Sequence, residues 1–310
     1  MPISAAPTKL LPGGPAAIYV RPSPDETRFS LMSRQIGGRT SVVGDVQTGA
    51  GSIVAFPSSS EDGRVVAVVK TALSADAVGR LLILKDGKVV REIEYSGDRL
   101  ALPTVSVDGS RVIFPSSARR LASLNVASGA ITNLCRRCAF GNVSNGATSP
   151  DGRYVAVLER VNASETQNVI YELKTGRVVA RRNSGQGLFG LQKPAWSPDS
   201  KMIVFVKLSS TSYNVISLSV AGIARPTAFN TTINQVAGEL NVWTSPVWMR
   251  DRFYIAGLEY INDQSLLSVA YSAATPFDTP QRLGVIGPVR GVLIGQASSL
   301  TVAWSSRQPL

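Results

Sequence analysis

Histidine is absent from all 310 residues. That removes the Ser-His-Asp and Cys-His nucleophile arrangements, the imidazole general base and every histidine metal ligand. Cysteine is nearly absent too. Cys135 and Cys138 stand alone, and two thiolates complete a tetrahedral zinc site only if two carboxylates join them. Neither a metal site nor a cofactor is therefore expected. Long apolar runs are missing as well: the best are short, such as Val65 to Val69, far below the roughly 18 residues of a membrane helix. The first twenty residues are broken by Pro2, Pro7, Pro12 and Pro15 and hold no signal-peptide core. Either the chain is cytoplasmic or an export signal has been removed ahead of it. Acidic residues are few, 21 against 32 Lys and Arg, for a net charge of +11 and a pI near 10.0.

With 44% hydrophobic and only 17% charged residues, a packed fold is expected and a disordered chain is not. The positive balance admits anionic partners: nucleic acid, lipid headgroups, acidic glycans or an acidic protein. The cations are dispersed, although Arg119-Arg120, Arg136-Arg137 and Arg181-Arg182 stand as pairs. No contiguous positive stripe of the kind nucleic acid requires is visible, so nucleic acid is disfavoured.

What is present is a repeat. FPSSSEDGRVVAVVK (56–70), LPTVSVDGSRVIFPS (102–116), NGATSPDGRYVAVLE (145–159) and QKPAWSPDSKMIVFV (192–206) share one plan. TSPVWMRDRFYIAGLEY (244–260) and VLIGQASSLTVAWSS (292–306) follow it loosely. The turn positions 62, 108, 151, 199, 251 and 298 are spaced by 46, 43, 48, 52 and 47 residues. Asp-Gly before an alternating run marks a tight turn, because Gly accepts positive φ and Asp bonds back to the local backbone. The period-two runs predict half-buried strands. A second turn follows, at LKDGKVV (84–90), NVASGAI (125–131), LKTGRVV (173–179) and SVAGIAR (219–225). Two turns in about 46 residues cut each unit into four strands, the length and make-up of a propeller blade.

The expectation is an all-β propeller in one domain, residues 1–310. Five full blades span 56–284, and strands from 1–55 join those of 285–310 in a closing sixth blade. Counting the N-terminal piece separately gives seven.

The turn written SPDG at 149–152 and SPDS at 197–200 resembles the TolB-like propeller repeats, and the match runs position by position through 194–207. The resemblance covers nearly the whole chain and its matching residues are structural. It implies an exported bacterial protein, periplasmic or extracellular, that serves as a binding platform. The other use of such repeats, beside a prolyl-oligopeptidase-type hydrolase domain, needs a Gly-x-Ser-x-Gly nucleophile and a late histidine, which this chain lacks.

Remaining motifs are weighed against the fold. Gly185, Gly187 and Gly190 have dinucleotide-fingerprint spacing, but Pro194 follows in an extended stretch and no helix can begin there. Cys135-Arg-Arg-Cys138 lies between blades. A disulfide staple is favoured, with inert thiols or a redox pair as alternatives. The turn aspartates have structural work, and nothing in the sequence pairs Glu159 and Glu259 across a channel, so a carbohydrate-active lyase or hydrolase is the rival reading. Propellers bind where loops enter the inner strands. Counting back from each turn gives Arg99, Asn145, Gln192, Lys193, Trp243, Thr244 and Arg290 as candidate mouth residues, with Arg119, Arg120, Arg136 and Arg137 opening on the same face. A monomer with a basic mouth for an acidic protein or glycan is the resulting expectation.

Overall fold

Every regular element among the described residues of the computed structural model is a β-strand. Those residues are 14–23, 27–35, 40–47, 52–72, 79–95, 103–117, 119–162, 165–186, 194–208, 212–232, 240–243, 246–249, 252–262, 265–290 and 301–305. The N-terminal strands β1 (Gly14–Pro22), β2 (Arg28–Gln35) and β3 (Thr40–Gln47) form one sheet with the last strand of the chain. Blade one is β4 (Ser52–Ser59), β5 (Val65–Ala72), β6 (Gly79–Lys85) and β7 (Lys88–Tyr95). Blade two is β8 (Thr104–Val105), β9 (Arg111–Ser117), β10 (Arg120–Asn125) and the short β11 (Ile131–Asn133).

Blade three is β12 (Asn142–Thr148), β13 (Tyr154–Arg160), β14 (Glu165–Glu172) and β15 (Val178–Gln186). Blade four is β16 (Ala195–Trp196), β17 (Met202–Leu208), β18 (Ser212–Ser219) and β19 (Ala224–Thr232). In blade five the inner strand comes in two pieces, β20 (Leu240–Trp243) and β21 (Val247–Met249), both paired to β22 (Arg252–Asn262). Outside them lie β23 (Ser265–Ala273) and β24 (Gln281–Arg290). The last strand, β25 (Thr301–Ser305), runs antiparallel to β1 with Gly14 opposite Ser305.

Six four-stranded blades result, the number the repeat spacing predicts. Their inner strands neighbour one another in a ring: β4, β8, β12, β16, β21, β25 and back to β4. The core consequently lies between blades. Val65, Ala67 and Val69 face blade two, while Val66 and Val68 face the sheet of β1 to β3. The expectation of half-buried second strands is corrected here. All five residues from Val65 to Val69 are at most 6% exposed, because each sheet is covered on both faces by its neighbours.

The tight turns share one hydrogen-bond cage. In blade three the Ser149 hydroxyl donates to Asp151 Oδ1 at 2.6 Å and accepts from Tyr154 N at 3.0 Å, while Asp151 Oδ1 also accepts from Arg153 N. Ser60, Ser106 and Ser197 repeat it with Asp62, Asp108 and Asp199. The turn needs a left-handed residue, supplied by Gly152 (φ 70°) and, in blade four, by Ser200 (φ 61°). The Ser200 hydroxyl accepts from Asp151 N at 3.1 Å, tying the turn of blade four to that of blade three.

These bonds shift the aspartates. Burial pushes Asp108 and Asp151 upward, but the hydroxyl and backbone donors outweigh it and hold both below the ordinary carboxylate range. In Asp199 the Ser197 bond is the largest influence and acts the same way. A depressed folded pKa gives stability that is complete above the unfolded value, near 4, and is lost as pH falls through the folded one. Urea midpoints should therefore hold from pH 7 to about 5 and fall steadily below about 4. Asp151→Asn should lower stability at pH 7 by about 1 kcal/mol and flatten part of that acid loss.

Candidate functional site

Strand direction gives each blade two unlike ends. The Asp-Gly turns and the second turns lie at one end. The starts of the inner strands and the connections from second to third strand lie at the other, the mouth end. Arg119 sits in the connection between β9 and β10 and Arg120 opens β10 opposite Ser117, both at the mouth end and both exposed. Asn145 lies in the inner strand β12 beside a bulge between Val143 and Asn145, opposite Leu158. Trp243 closes β20 opposite Gly257, within the inner strand itself, and Arg290 is the last residue of β24. Arg99, Gln192, Lys193 and Thr244 lie outside the described residues, as do Gly187 and Gly190.

Arg137 lies elsewhere. Its Nη1 donates to Lys174 O at 3.4 Å, in the hairpin between β14 and β15 at the turn end of blade three. Gly176 of that hairpin (φ 76°) has no room for a Cβ against the Arg137 carbonyl. Arg91 stands in the same relation to blade two: its Nη2 donates to Ala127 O at 3.0 Å, and its guanidinium abuts Gly129. The structure thus sets Arg137 in a clamp along the outer edge, away from the mouth. The reason is local. The outer strand β11 has only three residues, after which the chain crosses to the next blade's hairpin.

Cys135 and Cys138 in that crossing are joined in a disulfide, and Cys138 N donates to Cys135 Sγ at 3.1 Å. Beyond it, the segment Ala139–Gly141 is held to blade three by Glu159, 5% exposed. Glu159 Oε1 accepts from Gly141 N at 2.8 Å and from the Tyr171 hydroxyl at 2.7 Å, and Oε2 accepts from Gln167 Nε2 at 3.2 Å. Burial first, and the Glu159 carboxylate second, push the Tyr171 phenol far above its usual range. Tyr171 is thereby kept a donor, and it also meets Ala139 O at 3.1 Å. Gly141 is required by close approach, since a Cβ there would lie 2.8 Å from Glu159 Oε2. The carboxylate is committed to three donors and holds a connection rather than facing a channel. Sequence spacing offered no sign of this, because Gly141 and Gln167 belong to no repeat position.

The second polar group is at the seam between blades three and four. Asn145, Leu158 and Asn168 form one cross-strand row, directly above the apolar row Ala147, Ala156 and Ile170 that packs on Ile203 and Phe205 of blade four. Asn145 is 0% and Thr166 7% exposed. Among the described residues neither end of the Asn145 amide, nor the Thr166 hydroxyl, has a hydrogen-bond partner. Among the described residues no group of three or more carboxylates and thiols could hold a metal, and no helix is long and apolar enough to cross a membrane.

No family model matches the sequence, and no curated protein does. Among solved structures the chain is similar to TolB from Acinetobacter baumannii, with 18% identity and a TM-score of 0.47 over 70% of this chain. It spans about half of that protein, 54%. It is also similar to the β-propeller domain of Cps50 (Swd1) from Myceliophteria thermophila, with 8% identity, TM-score 0.49, and 89% and 86% of the two chains covered. An oligogalacturonate lyase in complex with manganese aligns at 14% identity and TM-score 0.46, over 88% of this chain and 74% of its own.

Proposed function

We propose that the chain is a non-catalytic binding propeller, exported to an oxidising compartment, which takes an acidic partner at its mouth end. The observation carrying this reading is the Arg119-Arg120 pair. Both residues are exposed at the mouth end, Arg119 just before β10 and Arg120 as its first residue, and among the described residues no salt bridge involves either. Arginine on a rim is a residue type that dominates recognition of proteins and anionic groups. The fate of Glu159 supports the non-catalytic half, since a carboxylate saturated by three donors is a poor acid or base. The Cys135–Cys138 bond fits an oxidising compartment.

The test is capture from an envelope extract with the immobilised chain, comparing the parent with Arg119→Glu/Arg120→Glu. Specific capture that falls at least tenfold in the charge-reversed variant is expected. Recovery of no specific partner, together with turnover of any member of a polysaccharide panel, would overturn the proposal in favour of a lyase or hydrolase.

A further inference from the structure

The Cys135–Cys138 bond spans a sequence separation of 3 in the crossing from blade two to blade three. The crossing has other anchors. Ahead of the bridge, Leu134 N donates to Leu121 O of blade two at 2.9 Å. Behind it, Ala139 O and Gly141 N are held by Tyr171 and Glu159 of blade three, and between the two cysteines Arg137 clamps the Lys174 carbonyl. Chain entropy gives so short a loop little stability. As a staple the bridge is largely redundant, and it sits in a frame that persists whether it is open or closed.

Its two halves are unlike. Cys135 is 6% exposed and packs with Leu121, Phe140 and Tyr171, whereas Cys138 lies half-buried at the rim of that cluster. Cys138 is thus the half that a thiolate from outside can reach, and Cys135 is the sulfur that would leave. Its place suits both forms of a leaving sulfur. Cys138 N already donates to Cys135 Sγ at 3.1 Å, the bond a thiolate needs. Leu173 O lies 3.7 Å from the same sulfur, placed to accept from a thiol. Without such partners, a sulfur released among apolar side chains would be a poor leaving group. Arg136 and Arg137, both exposed, put positive charge in the same short loop, which favours an anionic attacker.

We propose that Cys135–Cys138 is an exchange-active disulfide, opened at Cys138 by an anionic thiol of low mass. The attacking thiolate sulfur bonds to Cys138 Sγ as the Cys135–Cys138 bond breaks. The electron pair leaves on Cys135, which takes up a proton from solvent. The products are a mixed disulfide at Cys138 and a thiol at Cys135. Deprotonation of Cys135 and its return attack on Cys138 restore the bridge and expel the small thiol. This activity goes beyond the mouth-end binding reading and does not depend on it.

The test is incubation of the native parent with excess reduced glutathione or, at equal thiolate concentration, cysteamine, followed by intact mass. Anionic glutathione should open the bridge about fivefold faster than cationic cysteamine, and Arg136→Gln should cut the glutathione rate about twofold. Far-UV circular dichroism should not change on opening, because the flanking bonds remain. Cys135→Ser, treated with oxidised glutathione, should retain glutathione at Cys138. Cys138→Ser should be labelled at Cys135 about tenfold more slowly. A bridge inert to both thiols in the native protein, equal rates for the two thiols, equal labelling of the two serine variants, or opening only in urea would each overturn the proposal and leave a structural staple.

Discussion

Glu159→Ala is expected to cost the fold about 3–4 kcal/mol, measured as the loss of unfolding free energy in urea. The carboxylate sits 5% exposed with bonds from Gly141 N, the Tyr171 hydroxyl and Gln167 Nε2. Truncation leaves the buried Tyr171 hydroxyl and the half-buried Gly141 and Gln167 donors without their acceptor, and hydrogen bonds to a charged group contribute about 1.5–3 kcal/mol each before relaxation. The neighbouring disulfide sets a scale. It closes a loop with a sequence separation of 3, for which chain entropy supplies only about 2 kcal/mol. The side chain should therefore matter more than the covalent staple beside it. Glu159→Gln should fall between, because its amide nitrogen would meet the Gln167 amide nitrogen donor to donor. A loss below about 1 kcal/mol for the alanine variant would mean that the Ala139–Gly141 segment is held by other means.

Phe253→Ala should be the largest apolar effect, about 3–5 kcal/mol. Phe253 is 0% exposed at the seam between blades four and five, edge-to-face with Phe229 at 5.1 Å and with Trp248 at 5.6 Å. Two rings lose their partner at once, and rigid strands on either side limit collapse into the void. Phe253→Leu keeps most of the volume and should cost roughly 1–1.5 kcal/mol. The same denaturation experiment checks both, with an unchanged slope against urea showing that the native sheet remains intact.

The blade was legible because its signal is local and repeated. Asp-Gly offsets and period-two runs report turns and strands, whatever lies across the seam. One residue of the cage, the serine two places before each aspartate, was visible in SPDG without its role being evident. Its hydroxyl bonds back across five residues to the next strand, as in Ser60 with Val65 and Ser149 with Tyr154. The candidate site was less legible, since position along a blade does not say which sheet a side chain meets. Asn145 was chosen as a loop residue and lies buried in β12, because its burial depends on blade four, some fifty positions further along. Arg137 was assigned to the mouth with Arg136, as part of a segment expected to open on that face. β11 stops after three residues, and nothing in ITNLCRRC announces that.

The outer-edge clamps carry a direction. Arg91 holds a carbonyl 36 residues ahead of it and Arg137 one 37 residues ahead, in each case in the following blade. A chain folding as it leaves the ribosome would complete blade one with Arg91 still in water, awaiting the hairpin of blade two, and blade two with Arg137 awaiting that of blade three. At those two seams each new sheet would lock the one already made.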